Sequence, residues 1–380
     1  MKRLAFYAPM KAPTYPIPSG DREMARGLFT ALGRNAFNWQ VELASELRLF
    51  DGIGDQNAQS ILTEEANKEI ERLLSLNECY KKSENGDNRW LVWITYHNYY
   101  KAPDLIGPAV SKTLNIPYLL IEASIAKKRY QGPWAEFAKQ ADTACLDADV
   151  IFYLTERDRD ALQQHKPTDQ VLRHLAPFLN CTPDDLPPAA ELRGCQLLAV
   201  GMHRPGDKME SYKTIAKALN HLTNSEWVLS IVGDGKAHTQ VKELFEQFGD
   251  KVRFCGQLDP TQMMNEYQRA SVFLWPGVNE AFGMVFLEAQ LAGLPIVAEN
   301  RPGVRDVVAV SESLVTADQP RIFASSVDQL LSSLEQRQQW GARGREIIVD
   351  KHLSDTATET LMSEITRLVD PKHISIQANR

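Results

Sequence analysis

NEAFGMVFLEAQLAGLPIVAEN, residues 279–300, reads as a helix, a turn and a buried strand. The helix begins near Gly283 or Met284 and carries MVFLEAQLA; Gly293 and Pro295 end it, and PIVAEN follows as a short apolar run. Just upstream, SVFLWP is another such run. Strands this apolar have no face for water, and their alternation with helices is the mark of a parallel sheet covered on both sides. Two carboxylates interrupt the pattern. Glu280 stands in the loop ahead of the helix, and Glu288, eight positions on, lies about one turn inside it on the side of Met284. A carboxylate on an apolar helix is costly unless it is satisfied. A neighbouring cation would do that, and so would two vicinal hydroxyls of a ligand.

The same alternation extends in both directions. RLAFYAP, WQVELAS, WLVWITYH, PYLLIEAS and VIFYLTE are the strands expected of the first half, with REMARGLFTALGR and LTEEANKEIERLLSLNECY as helices between them. QLLAVG, WVLSIVGD and VRFCG precede SVFLWP in the second half, with SYKTIAKALNHL, VKELFEQFG and PTQMMNEYQRA as helices. A chain of 380 residues is too long for one ordinary core. The proline-rich, acidic stretch NCTPDDLPPAAELRG has neither period and reads as a linker. The expected fold class is therefore α/β, with two doubly wound, Rossmann-like domains facing a cleft: residues 1–178, a linker at 179–194, and residues 195–355.

Composition narrows the function. A net charge of −7 is not the footprint of a nucleic-acid binder. No run of about 18 apolar residues is present to span a bilayer, and the opening MKRLAFYAPMKAPTYP breaks on prolines and Lys11 too early for an export signal. The five cysteines are scattered, without metal-ligand spacing, and read as thiols in a reducing cytoplasm. Membrane association is expected to be peripheral to the inner face at most.

Ligands of doubly wound sheets bind outside the carboxyl ends of the strands, so the loops there carry the candidate chemistry. After SVFLWP, the amides that open the helix lack partners and the helix dipole adds partial positive charge, which suits phosphate and sugar oxygens. After QLLAVG, Arg204 and Lys208 lie in a loop ahead of a helix expected from near Glu210; two cations there can neutralise a diphosphate, or form a solvated basic turn. IVGDG, with Gly233, permits close backbone approach to a ligand or merely joins strand to helix. In the first half, Ser19 and Gly20 open a helix that Ser19 or Asp21 would cap, with approach of Gly20 to a phosphate or acceptor as the alternative. His97 ends a strand. AKKRYQGPW, residues 126–134, mixes basic and aromatic residues in a loop.

Taken together, these residues resemble the nucleotide-sugar domain of the family 4 retaining glycosyltransferases, which have the GT-B fold. VG at 200–201, Lys208, IVGDG, VRFCG, the Glu280-x7-Glu288 pair and the trailing GLPIVAEN carry the resemblance, over residues 196–308. The first half matches more loosely, through Ser19-Gly20 and His97. The chain departs from the family in having Met202 where an arginine is usual, no glycine after Lys208, and Gly20 alone of the usual paired glycines.

The resemblance implies a final helix, within residues 356–380 near TATETLMSEITRLV, that packs back on the first domain. It implies that Glu288 holds the donor ribose, that Glu280 contacts the transferred sugar, and that the amides of Phe282, Gly283 and Met284 meet sugar and phosphate oxygens. Arg204 and Lys208 would balance the leaving diphosphate, Gly256 to Leu258 would lie beside the nucleobase, and His97 would approach the donor sugar from the opposite domain. The chemical step would fall to Glu280, His97 and Lys208. The implied activity is a metal-independent, retaining transfer from a UDP- or GDP-sugar to an acceptor hydroxyl of a saccharide, lipid-linked intermediate or small molecule, with front-face attack favoured and no cofactor. A nucleotide-sugar epimerase or hydrolase on the same fold, or a non-catalytic nucleotide-sugar-binding protein, are the alternatives.

Overall fold

Twelve strands form two six-stranded parallel sheets in the computed structural model, which describes residues 2–17, 19–34, 39–81 and 88–369. The first sheet is built from β1 (Lys2–Tyr7), β2 (Trp39–Ser45), β3 (Trp90–Asn98), β4 (Tyr118–Ala123), β5 (Val150–Tyr153) and β6 (Val171–His174). The helices between them are α1 (Gly20–Leu32), α2 (Gln56–Lys81), α3 (Gly107–Leu114), α4 (Ala135–Asp147) and α5 (Glu156–Gln163). The second sheet holds β7 (Gln196–Val200), β8 (Val228–Val232), β9 (Val252–Gly256), β10 (Val272–Leu274), β11 (Ile296–Glu299) and β12 (Leu314–Val315). Its helices are α6 (Asp207–Leu219), α7 (His238–Phe245), α8 (Pro260–Arg269), α9 (Met284–Leu291), α10 (Val304–Val307), α11 (Pro320–Ser332) and α12 (Leu334–Lys351).

Strand order fixes where a ligand can sit in each sheet. In the first, β2-β1-β3-β4-β5-β6, the chain winds one way from β1 to β2 and then the other way from β3 onward. In the second, β12-β11-β10-β7-β8-β9, it winds from β7 through β9 and reverses to β10. At such a reversal the loops after the two central strands part and leave a crevice. The first unit opens between the loops after β1 and β3, and the second between those after β7 and β10.

The chain divides into two compact units, Met1–Ala176 with Ser354–Arg380, and Pro177–Leu353. The last helix, α13 (Ser354–Val369), therefore belongs with the first sheet. Leu361 and Ile365 are fully buried on it, Arg34 pairs with Asp355, and Arg173 pairs with Glu364. Residues 370–380, expected as part of this helical region, lie outside the described residues.

Three expectations change. Residues 180–194 carry no strand or α-helix, but they pack on the second unit rather than hanging between two: Leu192 is buried, the Ala190 amide donates to the Ala292 carbonyl at 2.8 Å, and Arg345 Nη2 donates to the Pro187 carbonyl at 2.6 Å. The strands β6 and β12 were not expected. Both are sheet edges; β6, with the sequence VLRH, has no buried residue and so shows no apolar run. Helix α6 begins at Asp207, three residues before the expected Glu210, because Gly206 at φ 84° makes the turn into it. Lys208 is thus in the first turn of a helix, not in a loop.

Candidate active site

In the second unit the crevice between β7 and β10 collects Lys208, Glu280 and Trp275. Lys208 Nζ pairs with Glu280 Oε1, and each side chain is 13% exposed. The Trp275 indole N–H donates to the same oxygen at 3.0 Å, and the Lys208 ammonium lies 5.3 Å from the Trp275 ring centroid. Glycine makes this possible at Gly201, where a Cβ would stand 2.6 Å from the indole ring. Glu280 Oε1 is thus fully engaged, whereas Oε2 makes no hydrogen bond among the described residues. An ammonium has three N–H donors and Glu280 takes one, so Lys208 can meet an anion without leaving its partner.

The loop that carries Glu280 is held from both sides. The Val278 amide donates to Ser211 Oγ at 3.1 Å, and Asn279 Nδ2 donates to Asp207 Oδ2 at 3.0 Å, both on α6. Behind it, Gly303 approaches so closely that a Cβ would lie 1.9 Å from the Ala281 carbonyl oxygen. Phe282 is buried, and Gly283 at φ 82° turns the chain into α9, whose first residue is Met284. The opening amides of α9 are therefore presented at the crevice without a side-chain cap. Glu288 lies one turn further in. Its Oε2 accepts from the buried Tyr267 hydroxyl at 2.7 Å. This hydroxyl helps to orient the carboxylate, and burial first, then the negative charge of Glu288, push the Tyr267 phenol pKa up.

Other expected residues fall differently. Arg204 is exposed, and its guanidinium makes no hydrogen bond or ion pair among the described residues; Met202 is also exposed. Gly233 has φ 143°, and a Cβ there would stand 1.9 Å from the Gly201 carbonyl oxygen. Approach to the chain's own loop is enough to require a glycine here. Gly256 ends β9 at φ 66°, its carbonyl accepts from the Gly233 amide at 2.9 Å, and Leu258 follows half-buried before Asp259 caps α8.

The first unit has its own cluster at the crevice between β1 and β3. His97 Nδ1 lies 3.3 Å from Asp21 Oδ1 and 4.0 Å from Glu122 Oε2. His97 (φ 66°) and Glu122 (φ 58°) are both left-handed at strand ends, a conformation that costs energy for such residues. Burial alone would lower the imidazole pKa, but Glu122 first and Asp21 next raise it to about 9. Asp21, despite burial, is drawn down to about 2 by His97 and Lys11. Burial pushes Glu122 and Asp158 up. His97 is therefore an imidazolium at neutral pH. Ser19 is the N-cap of α1, accepting from the Arg22 amide at 3.3 Å and from Lys11 Nζ at 2.8 Å; Gly20 is the first residue of the helix. In the loop 126–134, Arg129 stacks over Tyr100 and Trp134 at 5.0 and 5.5 Å.

Because the folded His97 binds its proton more tightly than the unfolded chain does, its stabilisation is complete below about pH 6.5 and is lost as pH rises through about 9. With the side chain 17% exposed, the loss is expected to reach up to ~3 kcal/mol. His97→Asn, which tolerates the left-handed backbone, should flatten the decline. Denaturant titrations of both proteins between pH 6 and 10 measure it; parallel curves would show that His97 carries no such linkage.

The residues missed from sequence are those whose role is to hold others. Glu122 ends the strand run PYLLIEAS just as His97 ends its own, so the strand-end rule that singled out His97 also points to it. Trp275 and Tyr267 read as core residues, and nothing local marks their polar atoms.

Residues 202–347, within the second unit, match the family described as "Glycosyl transferases group 1". Over nearly all of the chain, the two-domain α/β fold is similar to solved structures of the GT-B fold. Sucrose-phosphate synthase from Thermosynechococcus elongatus is similar over 97% of this chain and 98% of its own, with a TM-score of 0.67 and 18% identity. Anabaena HepE, solved in complex with UDP, is similar over 97% of this chain and 100% of its own, with a TM-score of 0.70 and 12% identity. In sequence, the D-inositol 3-phosphate glycosyltransferase of Corynebacterium urealyticum is 40% identical over 101 residues, 26% of this chain and 24% of that protein. The chain thus spans about a quarter of the length of the curated relatives it matches first. Among the described residues, no helix is long and apolar enough to cross a membrane.

Proposed function

We propose that this chain is a glycosyltransferase that moves a sugar from a UDP- or GDP-sugar to an acceptor hydroxyl, with retention of configuration and without a metal ion at the diphosphate. The observation that carries the reading is the convergence of Lys208, Glu280 and Trp275 at the β7/β10 crevice, with Glu288 one turn into α9. The group 1 match over the same residues and the likeness to a UDP-bound fold support it.

Cleavage of the sugar–phosphate bond gives the sugar oxocarbenium character and leaves negative charge on the diphosphate. Lys208 and the opening amides of α9 are set in place before that charge develops, which is how such sites lower a barrier. Glu280 Oε2 serves hydroxyls of the transferred sugar, and Glu288, oriented by Tyr267, takes the ribose hydroxyls. Gly256 to Leu258 flank the base. In the first unit, His97, whose pKa Glu122 and Asp21 raise to about 9, suits hydroxyl oxygens better than a base role at neutral pH. Arg204 is assigned at most a secondary part in balancing the phosphates.

Free UDP or GDP released from nucleotide sugars, measured with and without acceptor extracts, tests the reading. Acceptor-dependent release is the expected result. Equal release without acceptor would point to an epimerase or hydrolase, and binding without release to a sensor. A second outcome is expected from chelation: transfer persists in excess EDTA, and loss restored by Mg²⁺ or Mn²⁺ would overturn the metal-free diphosphate site.

A further inference from the structure

The loops after β7 and β8 carry a second convergence. His203 and His238 bring their Nδ1 atoms to 3.0 Å, and His238 Nδ1 lies 3.2 Å from Asp234 Oδ1. One ligating atom from each of the three lies within 4.8 Å of the others, the one such group of three among the described residues. No metal-ligand spacing announces it in the sequence, because His203 and Asp234 stand on different loops.

These atoms are placed by main chain, not by mobile side chains. The His203 amide donates to the Asp234 carbonyl at 2.9 Å, and the Ala237 amide donates to the His203 carbonyl at 2.9 Å. Gly235 lets the loops close, since a Cβ there would stand 2.4 Å from the His203 carbonyl oxygen. His203 is fully buried, edge-to-face against Tyr212 at 5.2 Å, and its Nε2 makes no hydrogen bond. Its ring is thus locked with Nδ1 toward His238. Two imidazole nitrogens that face each other at this distance need a proton or a cation between them.

We propose that His203, Asp234 and His238 bind one transition-metal ion, Zn²⁺ by ligand type, which clamps the loops after β7 and β8. Two imidazoles and a carboxylate are a borderline N/O ligand set that suits zinc and does not select Mg²⁺. Tetrahedral zinc with Zn–N bonds of about 2.0–2.1 Å needs about 3.3 Å between nitrogens, so the pair has only to open by about 0.3 Å. Asp234 and His238 are partly exposed, at 57% and 34%, which leaves a side for water as the remaining ligand. The test of the clamp does not depend on sugar transfer.

Untagged protein, stripped with chelator and returned to chelator-free buffer, is titrated with ZnCl₂ by calorimetry, alongside His238→Ala and Asp234→Asn. Wild type is expected to bind one Zn²⁺ per chain with micromolar or tighter affinity, and to melt at a higher temperature with the ion than without. His238→Ala should weaken that site at least about tenfold, and Asp234→Asn by less. Both replaced side chains are partly exposed, so folding is preserved. No binding by wild type at micromolar concentrations would overturn the proposal, as would a smaller loss in His238→Ala.

Discussion

Lys208→Ala lowers kcat and kcat/KM together, by about 10²-fold or more, if the diphosphate leaves against this ammonium. The contact strengthens as the bond breaks, so its loss falls on the transition state rather than on binding alone. The magnitude follows from removing one donor of an oxyanion-type site. The amides and dipole at the start of α9 supply only about half a charge, less than the leaving group carries, and Arg204 is exposed. Truncation also strips Glu280 of its cation in a site where each partner is 13% exposed, and a carboxylate left unpaired there destabilises the fold. Lys208→Met separates the two effects, because it keeps the stem over Trp275 and removes the charge. Both variants are first shown to be folded, then assayed at saturating donor. Near-wild-type kcat in both would place the diphosphate elsewhere and leave Glu280 with a purely structural partner. Arg204→Ala is expected to cost less than either.

If Glu288 takes the ribose hydroxyls as proposed, Glu288→Ala weakens nucleotide sugar and free nucleoside diphosphate alike, on the order of 10²-fold, since two charge-assisted hydrogen bonds are lost. Glu280→Ala behaves differently. If its second oxygen serves the sugar, as proposed, turnover falls while affinity for the nucleoside diphosphate holds or improves, because Lys208 is released from its carboxylate partner. Titration of each variant with UDP and GDP, beside its turnover number, makes the comparison. If Glu280→Ala is the variant that loses nucleotide, the two roles are reversed.

The eight central strands were readable because buried parallel strands are continuously apolar, and the edge strands β2 and β9 still carried recognisable β-rich runs, WQVELAS and VRFCG. The short β6 and β12 were not, since an edge strand such as VLRH needs no such run. Glu280 and Glu288 stood out because they interrupt an apolar stretch, and sequence left open what satisfies them. The fold answers with Lys208 and Trp275 for one and Tyr267 for the other. Those partners are tens of residues away from at least one carboxylate, or disguised as core aromatics, so their pairing depends on strand order. The glycines of IVGDG were legible as special, but the close approach of Gly233 to the neighbouring loop, where a Cβ would lie 1.9 Å from the Gly201 carbonyl oxygen, was not. His97 was found by its place at a strand end; the two acids that hold its proton come from a helix start and a neighbouring strand.

A panel of UDP- and GDP-sugars, screened by thermal unfolding against wild type and Glu288→Ala, bears most directly on a donor site in the second unit. A ligand that binds only the folded state at a hundred times its Kd adds about 2.7 kcal/mol of stability. Donors sharing one base should raise the melting temperature of wild type by several degrees and leave Glu288→Ala nearly unmoved. No shift with any donor, or equal shifts in the two proteins, would contradict a nucleotide-sugar site at the β7/β10 crevice.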